Sequence, residues 1–340
     1  MTKMSDDEIL AIVDSEVEES SSFIDSEVST QRKTAIEYFY GEPFGNEEDG
    51  RSQVVITDVQ DTIMWMMPSL MRIFTSGKDV VRFAPEGPED VRVAEQATNY
   101  VNHVFYKQNK GFDILYNFFF DALLQKVGIV KHYWEDVEKT TTESYEKLTE
   151  QEFSLILEDP ELEVLEHTEN SNMIEVPDPQ TGEMVEIEEV KHDVTFTRTK
   201  ISGKVTIENV PPEEFLINRG AKSLEDFRFV CHRSHKTRSE LIEMGFDEEL
   251  VEGLSGSDSN ADGITTSQEY MARHAYDSTN VLSTGSVSKS EDTVEVFESY
   301  VKMDMEESGV GVLYKIIHSG NEVLEVDPVD TIPFTSIFPI

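Results

Sequence analysis

The sequence predicts an α+β protein whose helical first part runs to about residue 136 and whose remainder is rich in antiparallel strands. Three observations carry this reading. Before residue 128, apolar residues recur at helical spacing, as at Val59, Ile63, Met66, Met67, Leu70, Met71 and Phe74. From about residue 173, apolar and polar residues alternate, as in "VKHDVTFTRTKISGKVTIENV". The clusters "DPQTG" and "SGK" fall where hairpin turns between such strands belong.

Taken in order, residues 5–20 read as a short acidic helix with Ile9, Ile12, Val13 and Val17 on one side. A second helix spans about 24–40, buries Val28, Ala35, Ile36 and Phe39, and ends at Gly41. Next comes "VVITDVQDTIMWMMPSLMRIFTSG", residues 54–77, dense in methionine. Thr57 or Asp58 suits its N-cap. Pro68 lacks an amide donor, which predicts a kink or the start of a second short helix. The uninterrupted apolar stretch is far shorter than the ~20 residues a bilayer requires, and Arg72 lies near its end. Its face, with Trp65, Met66, Met67, Leu70, Met71 and Phe74, therefore predicts core packing or contact with another copy of the chain.

A strand-like "KDVVRFAP" follows, then a helix over about 89–109 that would bury Val93, Ala97, Tyr100, Val101, Val104 and Phe105. Gly111 breaks that helix. Another, "FDILYNFFFDALLQKVG", leads into the strand "IVKHYWEDV". Composition changes near 138, where a highly acidic insertion holds one short helix near 149–158. "DFRFVCHRSHKT" reads as a strand, and Thr237 with Glu240 forms a capping box for "RSELIEMGF". Residues 253–290 are rich in Ser, Gly, Asp and Thr and read as a mobile linker. Strands "TVEVFESYVKMDM", "VGVLYKIIHSGNEVLEV" and "TIPFTSIFPI" close the chain. The expected organisation is a helical part at 1–136, an acidic insertion with antiparallel strands at 137–236, a helix and linker at 237–290, and strands at 291–340.

Charge limits the partners. Lys plus Arg number 28 against 69 Asp plus Glu, for a formal net charge of -41. Such a surface repels phosphate backbones and anionic lipid, so a basic DNA-binding groove is not expected. Cys231 is the only cysteine, which rules out an intrachain disulfide and a multi-thiolate metal site within one chain. The first residues lack the basic-then-apolar order of a secretory signal. The apolar end after a strand-like segment predicts that the protein continues past Ile340.

Two motifs could carry chemistry. "DSNADGITTSQE" fits the twelve-position calcium loop, with Asp258, Asn260 and Asp262 at alternate positions, Gly263 at the sixth and Glu269 at the twelfth. It has no partner loop, the aliphatic expected at its eighth position is displaced to Ile264, and two glycines interrupt the segment before it. The expectation is a polar linker, with a calcium-binding interaction protein as the alternative. "CHRSHKTR" gathers Cys231, His232 and His235, but strand alternation sends Cys231 and His232 to opposite faces, and His232 and His235 out of phase. No phosphate-cradling glycine loop and no Gly-x-Ser-x-Gly turn occurs. The reading is of a non-enzyme without cofactor or metal.

Residues 35–136 resemble the N-terminal part of the portal proteins, or head-to-tail connectors, of short-tailed bacteriophages. The resemblance rests on "EYFYG", "GRSQVV", "MPSLMRIF", "GPED" before "AEQATNYVN", and "KVGIVKHYWE". "VPPEEFLINRGAKSLEDFRFVCHRSHKTRSEL" and "PFTSIFPI" resemble later blocks, while the acidic insertion matches poorly. The resemblance implies a structural ring, usually of twelve subunits, at one capsid vertex of the virion. Double-stranded DNA would pass through its channel without sequence-specific binding, in packaging and again in ejection. Terminase, tail adaptor, coat and scaffold proteins would be the partners, and assembly would occur in the bacterial cytoplasm, with no membrane. It also implies that this chain is the wing-like body, with stem and clip beyond Ile340.

Overall fold

The computed structural model describes residues 4–43, 45, 48, 50–52, 54–77, 79–157, 159, 162–177, 184–221, 223–254, 268–274, 292–305 and 309–337. The helical part holds α1 (Asp6–Phe23), α2 (Ser29–Tyr40), α3 (Asp58–Thr75), α4 (Val91–His103) and α5 (Gly111–Gln125). Then come β1 (Gly128–Thr149), α6 (Glu150–Leu157), β2 (Leu162–Pro177), β3 (Met184–Val210), β4 (Phe215–Ile217) and β5 (Phe229–Thr237). Last are α7 (Arg238–Glu243), α8 (Glu248–Gly253), α9 (Gln268–His274), β6 (Thr293–Met303), β7 (Val312–Ser319), β8 (Glu322–Pro328) and β9 (Phe334–Ile337). The α+β class read from the sequence holds, with helices first and antiparallel sheets after. The chain divides into two compact units, Met1–His132 with Ile207–Ile340, and Tyr133–Thr206.

The larger unit opens with one helical run where two separate helices were expected. α1 passes through a π-turn at Ile24–Val28 directly into α2. Residues 20–31 contain neither Gly nor Pro, so nothing stops the helix. Ser5 and Glu8 close a capping box at its start. Gly41, at φ 70, ends it in a left-handed conformation that costs glycine little.

Strands β4 to β8 form a five-stranded antiparallel sheet in chain order. Strand alternation sorts its side chains. Leu216, Phe229, Cys231, Val301, Met303 and Ile316 meet Ile9, Val13 and Ile24 of the long helix. Phe215, Val230 and Tyr300 meet Val127, Ile129, Val210 and Phe334 instead. There β9 pairs antiparallel with the first residues of β1, Gly128–Lys131. Leu241, Val251 and Leu254, on and just after α7 and α8, cover Val294, Val296 and Ile317. The capping box predicted at Thr237 and Glu240 opens α7. A third core joins Ile36 and Phe39 of α2, Ile63, Met67 and Met71 of α3, Phe119 and Leu124 of α5, and Ala272 of α9.

Several expectations need correction. Among the described residues, the segment at 79–85 pairs with no strand. Its backbone is tied to α4, where the Asn102 amide oxygen accepts from Val80 N–H (2.7 Å), its amide nitrogen donates to the Val81 carbonyl (2.8 Å), and Thr98 Oγ1 accepts from Phe83 N–H (3.0 Å). That demand turns the Ala94–Thr98–Asn102 face of α4 inward, and Val93 and Tyr100, expected to be buried, are exposed. Gly111 does not merely break a helix; it begins α5, at a place where a Cβ would crowd the Phe105 ring. Residues 253–290 are not linker throughout, since α9 lies within them.

The smaller unit contains β2 and β3 as an antiparallel pair, the outer part of β1, and α6. α6 matches the predicted helix. The "SGK" turn does not form, and β3 runs through it. Gly203 serves a different need, because a side chain there would overlap the Trp134 ring. The "DPQTG" turn lies outside the described residues. Phe196 is fully buried, and Phe153 of α6 stacks on His167 and His192, each at 4.8 Å.

Candidate functional site

The methionine-rich helix α3 has two faces of different character. Thr57 occupies its N-cap position, although its side chain caps no amide. Thr62 Oγ1 donates to the Asp58 carbonyl, and Thr75 Oγ1 to the Met71 carbonyl. Near the C-terminal end, Tyr106 donates its hydroxyl to the Phe74 carbonyl at 2.8 Å. The helix continues through Pro68 rather than dividing there. Pro68 and Met64 are both exposed, so water can reach the carbonyl that the missing amide leaves free.

The six residues singled out in the sequence separate cleanly. Met67 and Met71 are buried, at 2% and 6% exposure, and Leu70 and Phe74 pack against the same core. Trp65, at 80%, and Met66 face outward together with Met64 and Ile73. Val54, Ile56, Val81, Phe83, Val91, Val93, Tyr100 and Phe112, from the neighbouring stretches of sequence, are exposed too. Large exposed apolar side chains thus concentrate between 54 and 112, which marks this part of the larger unit as a candidate contact surface.

A second cluster is buried and ionic. Two arginines and three carboxylates meet where α9 rests on the molecule. Arg32 of α2 pairs with Glu269 at 3.3 Å. Arg273 pairs with Asp121 of α5 at 3.0 Å and with Glu213, in the turn before β4, at 2.8 Å. Burial pushes the Glu213 carboxyl up to about 7, against the pull of Arg273. Burial also raises Asp121, with Arg273 opposing. Sequence reasoning missed this cluster, because its members come from four distant segments and one of them, Glu269, stands in the stretch expected to be a polar linker, with a calcium loop as the alternative.

The calcium reading meets the described structure at one residue. Asp258, Asn260, Asp262 and Gly263 lie outside the described residues. Glu269 is in α9, fully buried against Arg32. Among the described residues, no group of three or more His, Cys, Asp or Glu is placed to hold a metal. Cys231 and His232 do point to opposite faces. Cys231 packs against the long helix, its thiol pushed up to about 12 by burial, while His232 Nε2 lies 3.3 Å from Glu214. In the smaller unit the histidines form a line. His167 Nε2 lies 2.9 Å from His192 Nδ1, and His192 Nε2 lies 2.7 Å from Glu150. One ring thus bridges the other two groups, and the three do not converge on a point.

Among the described residues, no helix is long and apolar enough to cross a membrane. Comparison with curated proteins finds no match. The family model described as phage SU10 portal protein matches residues 9–340, nearly the whole chain and both of its units. The chain belongs to the phage SU10 portal protein family.

Proposed function

We propose that the chain is one subunit of a closed portal ring, of about twelve copies by the usual form of such rings, at a single vertex of a phage capsid. The observation that carries this reading is the family match across residues 9–340. In this role the protein is a conduit and not an enzyme. Double-stranded DNA enters through the ring during packaging and leaves by the same route at ejection. A separate terminase supplies the work, and tail, coat and scaffold proteins dock on the ring. The formal charge of -41 supports the conduit, because a wall that repels phosphate lets a duplex slide without binding. Assembly takes place in the host cytoplasm.

The outward face of α3 is the proposed contact between neighbouring subunits. Trp65, Met66 and Ile73 present rigid and adaptable apolar surface of the kind that anchors interfaces. Native mass spectrometry and electron microscopy of the full-length protein test the reading. A closed ring is expected, and Trp65→Ser with Ile73→Ser should shift it toward monomer while leaving the fold intact. A full-length protein that stays monomeric at high concentration overturns the ring. A double variant that assembles normally removes α3 from the interface.

A further inference from the structure

We propose that α9 is a proton-linked latch, seated firmly while Glu213 carries a proton and loosened when that proton leaves. The seat joins α9 to α2, α5 and the turn before β4. Side-chain carboxylates from Asp121, Glu213 and Glu269 face the guanidinium groups of Arg32 and Arg273. Arg233 lies close by, but its Nε and Nη2 donate to the Glu213 backbone carbonyl at 3.1 and 2.9 Å, and its Nη1 to Ser21. Arg32 Nη1 shares itself with the Pro212 carbonyl at 3.2 Å. Glu214 is turned to His232, and the Tyr270 and His274 rings of α9 meet at a tilt, their centroids 4.2 Å apart. Three carboxylates thus meet Arg32 and Arg273 in a buried space, while Arg233 spends its donors on the Glu213 backbone and not on its carboxylate.

Glu213 is the acceptor for that proton. It is 2% exposed, and its Oε2 meets no hydrogen-bond partner among the described residues. A charged oxygen buried without a donor costs more than the neutral, protonated carboxyl in the same place. The raised Glu213 pKa agrees with this geometry, and the raised Asp121 pKa acts in the same sense. Because the seated value, about 7, lies above the ordinary 4.5, seating is strongest at low pH. It weakens about tenfold per pH unit between those two values and levels off above the higher one.

Amide exchange of Gln268–His274, measured on the whole chain from pH 5 to 8 and corrected for intrinsic rates, tests the latch. Opening should rise with pH and level off near 7. Glu213→Gln, neutral at every pH, should keep α9 protected and remove the slope. A flat wild-type profile, or an unchanged slope in Glu213→Gln, overturns the proposal. The unmodified chain provides a second reading that does not depend on a variant folding. A protonated-carboxylic-acid carbonyl band in the infrared should titrate near pH 7, and its absence above pH 6 counts against the latch.

Discussion

Helices α1 and α9 both seat on the larger unit, but by opposite chemistry. α1 lays Ile9 and Val13 on Leu216, Phe229, Cys231 and Ile316, an apolar contact with charges only at its margin, such as Glu16 with Arg228. α9 buries a single small apolar side chain, Ala272, and otherwise holds through Arg32–Glu269 and Arg273 with Asp121 and Glu213. The first contact is strong and non-directional, and its apolar core does not titrate, although Asp14 of α1 lies 4.0 Å from the buried His318. The second is specific in geometry and nearly balanced in energy, because desolvating the ions offsets their attraction. A helix of seven residues cannot bury enough apolar surface to be held otherwise.

The comparison can be broken from the apolar side first. Phe229→Ala opens a cavity beneath α1 and should cost about 3–5 kcal/mol in chemical denaturation, the same at pH 5 and pH 8. A pH-dependent loss would mean that α1 is not seated by packing alone. On the ionic side, Arg32→Met strands Glu269 as an unpaired buried charge. The local cost is about 3 kcal/mol, but global unfolding should register less, because α9 can leave its seat while the rest stays folded. Adding Glu269→Met should recover most of the loss, since an apolar pair can replace a buried ion pair. If the double variant is worse than the single, the pair contributes more than it costs. The Cys231 thiol reports on the α1 seat without changing it. Buried and held near 12, it should resist alkylation in the native protein and react at the unfolding rate. Trp65→Ser sets the small end of the scale. It should change monomer stability by no more than about 0.5 kcal/mol, because its side chain touches little.

The α1 seat was legible in the sequence, and the α9 seat was not. Ile9, Ile12, Val13 and Val17 recur at helical spacing, and β5 to β8 alternate, so local pattern was enough to place them. The same logic separated Met67 and Met71 from Trp65 only in part, because a helix that is apolar most of the way round does not announce which face has a partner. It failed on α4, where the buried face is Ala94, Thr98 and Asn102, selected by the hydrogen-bonding needs of an extended segment rather than by apolarity. It failed at Gly203, a turn residue by type whose role is to make room for Trp134. The junction of Arg32, Asp121, Glu213, Glu269 and Arg273 was beyond its reach. Among 69 acidic residues, nothing in the sequence distinguishes the three that are buried together.

The π-turn at Ile24–Val28 acts as a phase adjuster. Each residue of an α-helix advances the side-chain direction by about 100°, so one extra residue absorbed within the rod resets the angle of everything after it. Before the turn, Ile9 and Val13 face the five-stranded sheet; after it, Ile36 and Phe39 face the core of α3 and α5. Deleting the one extra residue here would leave a plain α-helix with both faces aimed as before, whereas deleting a residue elsewhere in the rod would turn one face away from its core. Because the run is unbroken from Asp6 to Tyr40, a single rod places side chains in both cores.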